Sequence, residues 1–179
     1  MSATLDLAEA FAAFAGPGLP RREALTDHAE ALGYRRFHAA GRTLAFYAAD
    51  GLTVLKASFG DPAYAAFARY AQANADDPHL PQIDQAARFE SGLALYAIEA
   101  LDPSRLAETY CDFAVALDLG PLAPAYLARD AAAFRAGHAS FCASVERVCA
   151  ARPTWCANDL ALRNMRMRGD VPVILDPWC

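Results

Sequence analysis

The chain has 179 residues, a net charge of −5 and a hydrophobic content of 55%. That length predicts one domain, or two small lobes sharing a core, and that composition excludes a disordered or fibrous chain. The acidic balance, with a pI near 5.3, argues against a general nucleic-acid binder, which would present a basic face, although Arg163, Arg166 and Arg168 crowd one short stretch.

In chain order, apolar spacing predicts a helix over 4–15, ended by Gly16-Pro17-Gly18, and a second over 21–32, closed by Gly33. Together they make a helical appendage, residues 1–33. Asp6 and Glu9 interrupt the first apolar run and no basic segment precedes it, which is not the pattern of a signal peptide. No uncharged stretch reaches the roughly 20 residues of a membrane span, so the expectation is a soluble, cytoplasmic protein with no membrane partner. Five cysteines, Cys111, Cys142, Cys149, Cys156 and Cys179, without a CxxC pair, fit a reducing compartment better than a disulfide framework. His138 and Cys142 lie four apart on a predicted helix, but an unpaired zinc half-site is rare, and a small apolar cysteine in a helix core is the preferred reading.

Residues 34–101 read as a β-rich lobe. Runs over 34–39, 43–48 and 52–58, rich in aromatic and β-branched residues, are separated by Gly41-Arg42 and Asp50-Gly51 and predict three antiparallel strands. Asp61 as N-cap and Pro62 at the first helical position start a helix to about Ala75. Pro78 and Pro81 bracket a turn before two more strands at 82–87 and 92–99. Residues 102–179 read as a small, mostly helical lobe. Asp102-Pro103-Ser104 opens a helix over 104–118, Gly120-Pro121 breaks it, and a long helix covers 124–151 up to Pro153. An irregular loop follows, then strands at 165–168 and 171–175 joined by Gly169-Asp170. The order predicts an α+β protein of two lobes.

Four features carry chemistry in this order. Lys56 ends the apolar run Leu52-Thr53-Val54-Leu55-Lys56 and is the only lysine of the chain. An ammonium at a strand end can meet phosphate oxygens, against the plainer reading of a snorkelling side chain. Ala97-Ile98-Glu99-Ala100-Leu101 is an extended connector suited to pairing with an adenine through its backbone. In Asn158-Asp159-Leu160-Ala161-Leu162-Arg163-Asn164 an aspartate able to orient or deprotonate a hydroxyl precedes by five residues an asparagine able to offer its carbonyl oxygen to magnesium. Val173-Ile174-Leu175-Asp176-Pro177 delivers a carboxylate at a strand end, twelve residues after Asn164. Alone, the last two are weak: D-x4-N is common, and Asp-Pro starts many turns.

Together these positions resemble the protein-kinase-like superfamily, in particular the aminoglycoside and choline kinase branch. In that family a strand lysine binds phosphates, a connector after the fifth strand holds the nucleotide, and a catalytic aspartate is followed by a metal-binding asparagine. A hairpin then delivers a second metal-binding aspartate. The resemblance covers residues 35–178 and extends to short kinase-like proteins of bacteriophages. It implies a truncated kinase-like fold with Mg²⁺ and ATP as cofactors. By position, Asp159 matches the catalytic residue, Lys56, Glu99 and Leu101 the nucleotide-binding residues, and Asn164 and Asp176 the metal ligands.

The departures bear on activity. Ala157 stands where the family has a supporting histidine, only Gly41 lies between the first two strands, and residues 62–75 contain no glutamate to pair with Lys56. The sequence runs three residues past Asp176, which implies a lobe without the acceptor-binding segments. Two functions follow: a phosphotransferase to an unknown hydroxyl acceptor, or an inactive kinase-like module that binds a second copy or another protein, for example a phage–host inhibitor.

Overall fold

Alternation of apolar and polar residues lets a strand bury one face, and register is then set by which face meets the core. The computed structural model describes residues 6–102, 135–136 and 138–179. The helix expected over 104–118, the 124–134 part of its successor and Cys111 lie outside these residues. The chain divides into two compact units, Met1–Ala65 with Gln82–Ala100 and Ala66–Pro81 with Leu101–Cys179.

The first unit is built on five strands: β1 (Arg35–Ala40), β2 (Thr43–Tyr47), β3 (Thr53–Phe59), β4 (Ile83–Arg88) and β5 (Leu93–Glu99). They form one sheet of order β1-β2-β3-β5-β4, antiparallel at every pairing. The architecture is therefore α+β. One sheet face carries Leu44, Phe46, Leu55, Ala57, Leu93 and Leu95. Across it lie α1 (Leu7–Ala10) and α2 (Arg22–Ala31), whose Leu7, Leu25 and Ala29 complete the same core. The N-terminal helices are thus the cover of the sheet.

The single helix expected over 4–15 is instead α1 followed by one 3₁₀ turn, Ala12–Phe14. The break falls at Phe11, whose φ of −111° leaves the helical region. Phe11 is fully buried, and its ring and that of Phe14 meet the edge of His28 at centroid distances of 5.1 and 5.2 Å. Burying Phe11 and half-burying Phe14 outweighs the small propensity for one further helical turn.

In the second unit, α3 (Pro62–Ala73), which begins in the first unit, supplies its later residues. α4 (Ala139–Ala151) and a hairpin of β6 (Met165–Arg168) and β7 (Val171–Ile174) follow. Only Gly169 of the two turn residues has positive φ, at 59°, as a two-residue hairpin with glycine in first place requires. The long helix expected over 124–151 is interrupted at His138, whose φ of −132° and ψ of 39° make it the N-cap of α4. Gly137, which precedes it in the sequence, is a poor helix former. On α4, Phe141, Cys142, Val145 and Val148 face inward. Cys142 is a buried core thiol whose pKa burial pushes up.

The segment after α3 is tied to both α4 and the hairpin. Asp77 Oδ2 accepts from Ser144 Oγ at 2.5 Å and Arg147 Nη2 at 2.6 Å. Its Oδ1 accepts from the His79 N–H at 3.0 Å. Arg168 donates to the carbonyls of Pro78 and Leu80 at 2.7 and 2.9 Å. Burial opposes ionisation of Asp77, but the hydrogen bonds from Ser144, Arg147 and the His79 N–H outweigh it and hold the carboxyl below its ordinary value. A carboxyl with a depressed folded-state pKa binds protons more tightly in the unfolded chain. Its contribution is present above the unfolded value, near 3.8, and is lost as pH falls through the folded one. Asp77→Asn is therefore expected to cost about 1–2 kcal/mol at neutral pH, discounted because Arg147 is half exposed. Thermal melts should show the gap to wild type narrowing from pH 5 to pH 3. A gap independent of pH would remove the ionised carboxylate from this account.

Candidate functional site

The expected site residues divide between the two units. Lys56 and Glu99 belong to the first, and Leu101, Asp159, Asn164 and Asp176 to the second.

In the first unit Leu55, Ala57 and Phe59 of β3 face the core. Period-two alternation then turns Lys56 to the opposite face, between Ala45 on β2 and Tyr96 on β5. There the Lys56 ammonium lies 3.1 Å from the centre of the Tyr64 ring, and Tyr64 meets Tyr96 edge-on at 5.0 Å. Tyr64 is in the first turn of α3, oriented by Asp61 Oδ1, which accepts from the Ala63 and Tyr64 N–H groups, both at 3.1 Å. The helix that lacks a glutamate thus offers the lysine a π face. Cation–π attraction contributes about 0.5–2 kcal/mol depending on desolvation. Urea titration of Tyr64→Leu, Lys56→Met and the double variant should return a coupling energy in that range, with Tyr64→Phe closer to wild type than Tyr64→Leu. Strict additivity would show that the pair does not interact.

The connector after β5 is held at its base. Glu99 N–H donates to Gln82 O at 3.0 Å and Ala100 N–H to Leu52 O at 2.8 Å, while Glu99 Oε1 accepts from the Gln82 N–H at 2.8 Å. These bonds use the Glu99 and Ala100 amides. At the other end of the sheet, Gly41 turns the chain between β1 and β2 with a φ of 50°. Arg22 of α2 donates to Gly41 O at 2.5 Å and Thr43 O at 2.8 Å. The turn that carries one glycine in place of several is held by an arginine from the N-terminal helices.

In the second unit, backbone pairing brings the D-x4-N loop and Asp176 together. Asp159 N–H donates to Pro177 O at 2.6 Å, and Leu175 N–H donates to Asn164 O at 2.7 Å. Asp176 is therefore flanked on both sides by residues bonded to the two ends of the loop. Ala157 and Cys179 exchange both backbone hydrogen bonds, at 2.8 and 3.0 Å, and Asn158 bridges Trp178 antiparallel. Leu162–Asn164 forms a 3₁₀ turn that leads directly into β6.

The side chains continue this arrangement. Asn164 Nδ2 donates to the Asp159 carbonyl at 2.8 Å and to Asp159 Oδ2 at 3.0 Å. With both donations made by the amide nitrogen, the amide oxygen is the acceptor end left to a cation. Arg163 Nη2 reaches both Asp159 oxygens at 2.6 Å from a side chain that is 70% exposed. Among the described residues no three His, Cys, Asp or Glu side chains gather as a metal set. Magnesium, however, is commonly held by one or two protein oxygens completed by substrate phosphates and water, and Asn164 with Asp176 fits that donor chemistry.

Tyr64, Arg22 and Arg163 escape a reading of the sequence. Arg163 alone carried a signal, its spacing four residues after Asp159. The chain matches no model of a known protein family, and no curated protein matches it.

Proposed function

We propose that the chain is a kinase-like protein that binds Mg²⁺ and ATP and transfers phosphoryl to a hydroxyl acceptor. The observation that carries this reading is the stitching of Asp176 to both ends of the Asp159–Asn164 loop. Three residues chosen for their chemistry, and spread over 18 positions of sequence, lie in one backbone-bonded cluster. In this reading Asn164 and Asp176 hold magnesium, which when bound neutralises charge on the transferring phosphoryl group. Asp159 orients the acceptor hydroxyl and takes up its proton. Lys56 meets the phosphates, and Glu99 and Leu101 meet the base through their backbones. The five-stranded antiparallel sheet, with the lysine on its third strand and the connector after its fifth, agrees with the same resemblance. No helix of the described residues is long and apolar enough to cross a membrane.

A second reading has its own observations. Arg163 occupies both oxygens of Asp159, and a tyrosine ring stands beside Lys56 in the absence of a helix glutamate. Both favour a kinase-like module that binds a nucleotide or a protein partner without turnover. Magnesium-dependent nucleotide binding, measured on wild type and Asp176→Ala, tests the site common to the two readings. Phosphoryl transfer that disappears in Asp159→Ala separates them.

A further inference from the structure

One buried histidine is held more tightly than its place in a turn requires. His79, which is 6% exposed, has its backbone N–H on Asp77 Oδ1 at 3.0 Å. Its carbonyl accepts from the Ile174 N–H at 2.9 Å, and the carbonyls on either side of it accept from Arg168. Its ring lies edge-on to Phe141 at 5.5 Å. Nδ1 is 2.9 Å from the carbonyl oxygen of Pro172, an atom that can only accept. Nδ1 therefore carries a proton, and in the neutral ring Nε2 is the acceptor. The group facing Nε2, at 3.1 Å, is the hydroxyl of Ser140, and Ser140 is exposed.

A buried base of fixed tautomer, hydrogen-bonded to an exposed hydroxyl and oriented on its far side by a third group, is the arrangement that activates a serine nucleophile. Ser140 is the second residue of α4, where first-turn amides have no intrahelical acceptor and favour negative charge. A purely structural histidine would be satisfied equally by Pro172 and a buried partner, whereas here its acceptor nitrogen is directed at a solvent-facing oxygen.

We propose that Ser140 and His79 form a nucleophile–base pair able to accept an acyl group from small activated esters, a chemistry separate from phosphoryl transfer and from Asp159, Asn164 and Asp176. Ser140 Oγ attacks the ester carbonyl and its proton passes to His79 Nε2. The carbon–oxygen bond to the leaving group breaks, and the departing alkoxide or phenolate takes the proton. Water then attacks the acyl-serine, giving a proton to Nε2, and the collapse of the adduct returns that proton to Ser140 as the acid leaves. The Ala139 and Ser140 N–H groups at the start of α4 are the donors nearest in sequence to the developing oxyanion.

The test is incubation of the full chain with p-nitrophenyl acetate, followed by peptide mass spectrometry and by the rate of p-nitrophenolate release. Acetyl on Ser140, with release reduced at least 10-fold in Ser140→Ala, supports the pair, since general-base activation contributes about 10²–10⁴-fold. Ser140→Ala also takes the partner from His79 Nε2, so its melting temperature is checked against wild type beside the release rate. His79→Gln, with its melting temperature checked, should show the same loss. Acetylation spread over other serines, or release unchanged in Ser140→Ala, overturns the proposal and leaves His79 as a tie between the 77–80 segment and the hairpin.

Discussion

ATP with Mg²⁺, at about 100 times its dissociation constant, is expected to raise the melting temperature of the wild-type chain by about 5–11 °C, and Asp176→Ala is expected to lose that rise. Such an excess adds about 2.7 kcal/mol to the folded state, and in a chain of this length each kcal/mol moves the midpoint by about 2–4 °C. The control depends on where Asp176 sits. Its backbone neighbours, Leu175 and Pro177, make the hydrogen bonds to Asn164 and Asp159, so replacing the carboxylate leaves that lattice of backbone bonds in place. A shift with ATP alone that magnesium does not enlarge would assign binding to the first unit and remove Asn164 and Asp176 from it. No shift with ATP, ADP or GTP at millimolar concentration would count against the nucleotide site and turn the test to the protein-binding reading. Size-exclusion chromatography and pull-down would then decide between a second copy and another protein.

Trp178→Ala is expected to cost about 3–5 kcal/mol, the usual range for removing a buried tryptophan side chain, and so to lower the midpoint by about 6–20 °C. Trp178 is 4% exposed. Its ring meets Phe67 edge-on at 5.6 Å and Tyr70, tilted, at 5.6 Å, so the indole anchors the end of the hairpin segment to α3. Its Nε1 is buried without a hydrogen-bond partner among the described residues, so Trp178→Phe gives up ring volume but no hydrogen bond and should cost clearly less. The same variants report on the site. Trp178 pairs with Asn158, next to Asp159, and a loosened Trp178 should weaken the magnesium-dependent shift even at temperatures where the chain is still folded. A Trp178→Ala chain that melts within about 1 °C of wild type would show that this packing does not hold the segment.

The sheet was legible because its signals are local. Glycine turns, β-branched runs and the Asp61-Pro62 start each act within a few residues, and they placed β1 to β5 and α3 close to their observed ends. The α1 segment misled for the opposite reason. Its apolar spacing describes a helix, but Phe11 and Phe14 find a better burial against His28, which lies beyond the intervening glycine turn. The interruption before α4 is similar: the periodicity continues through His138, whereas the backbone does not.

By its own order and spacing the sequence determined the α+β class and singled out Asp159, Asn164 and Asp176 as candidates, because these rest on residue types a fixed number of positions apart. Only the tertiary structure decided what those residues meet. Asp159 accepts from Arg163 and Asn164, Asp176 is flanked by bonds to the loop, and Lys56 faces the Tyr64 ring. The Ser140–His79 pair, 61 residues apart, was invisible for the same physical reason: a long-range contact is set by how faces pack and has no spacing in the chain to betray it.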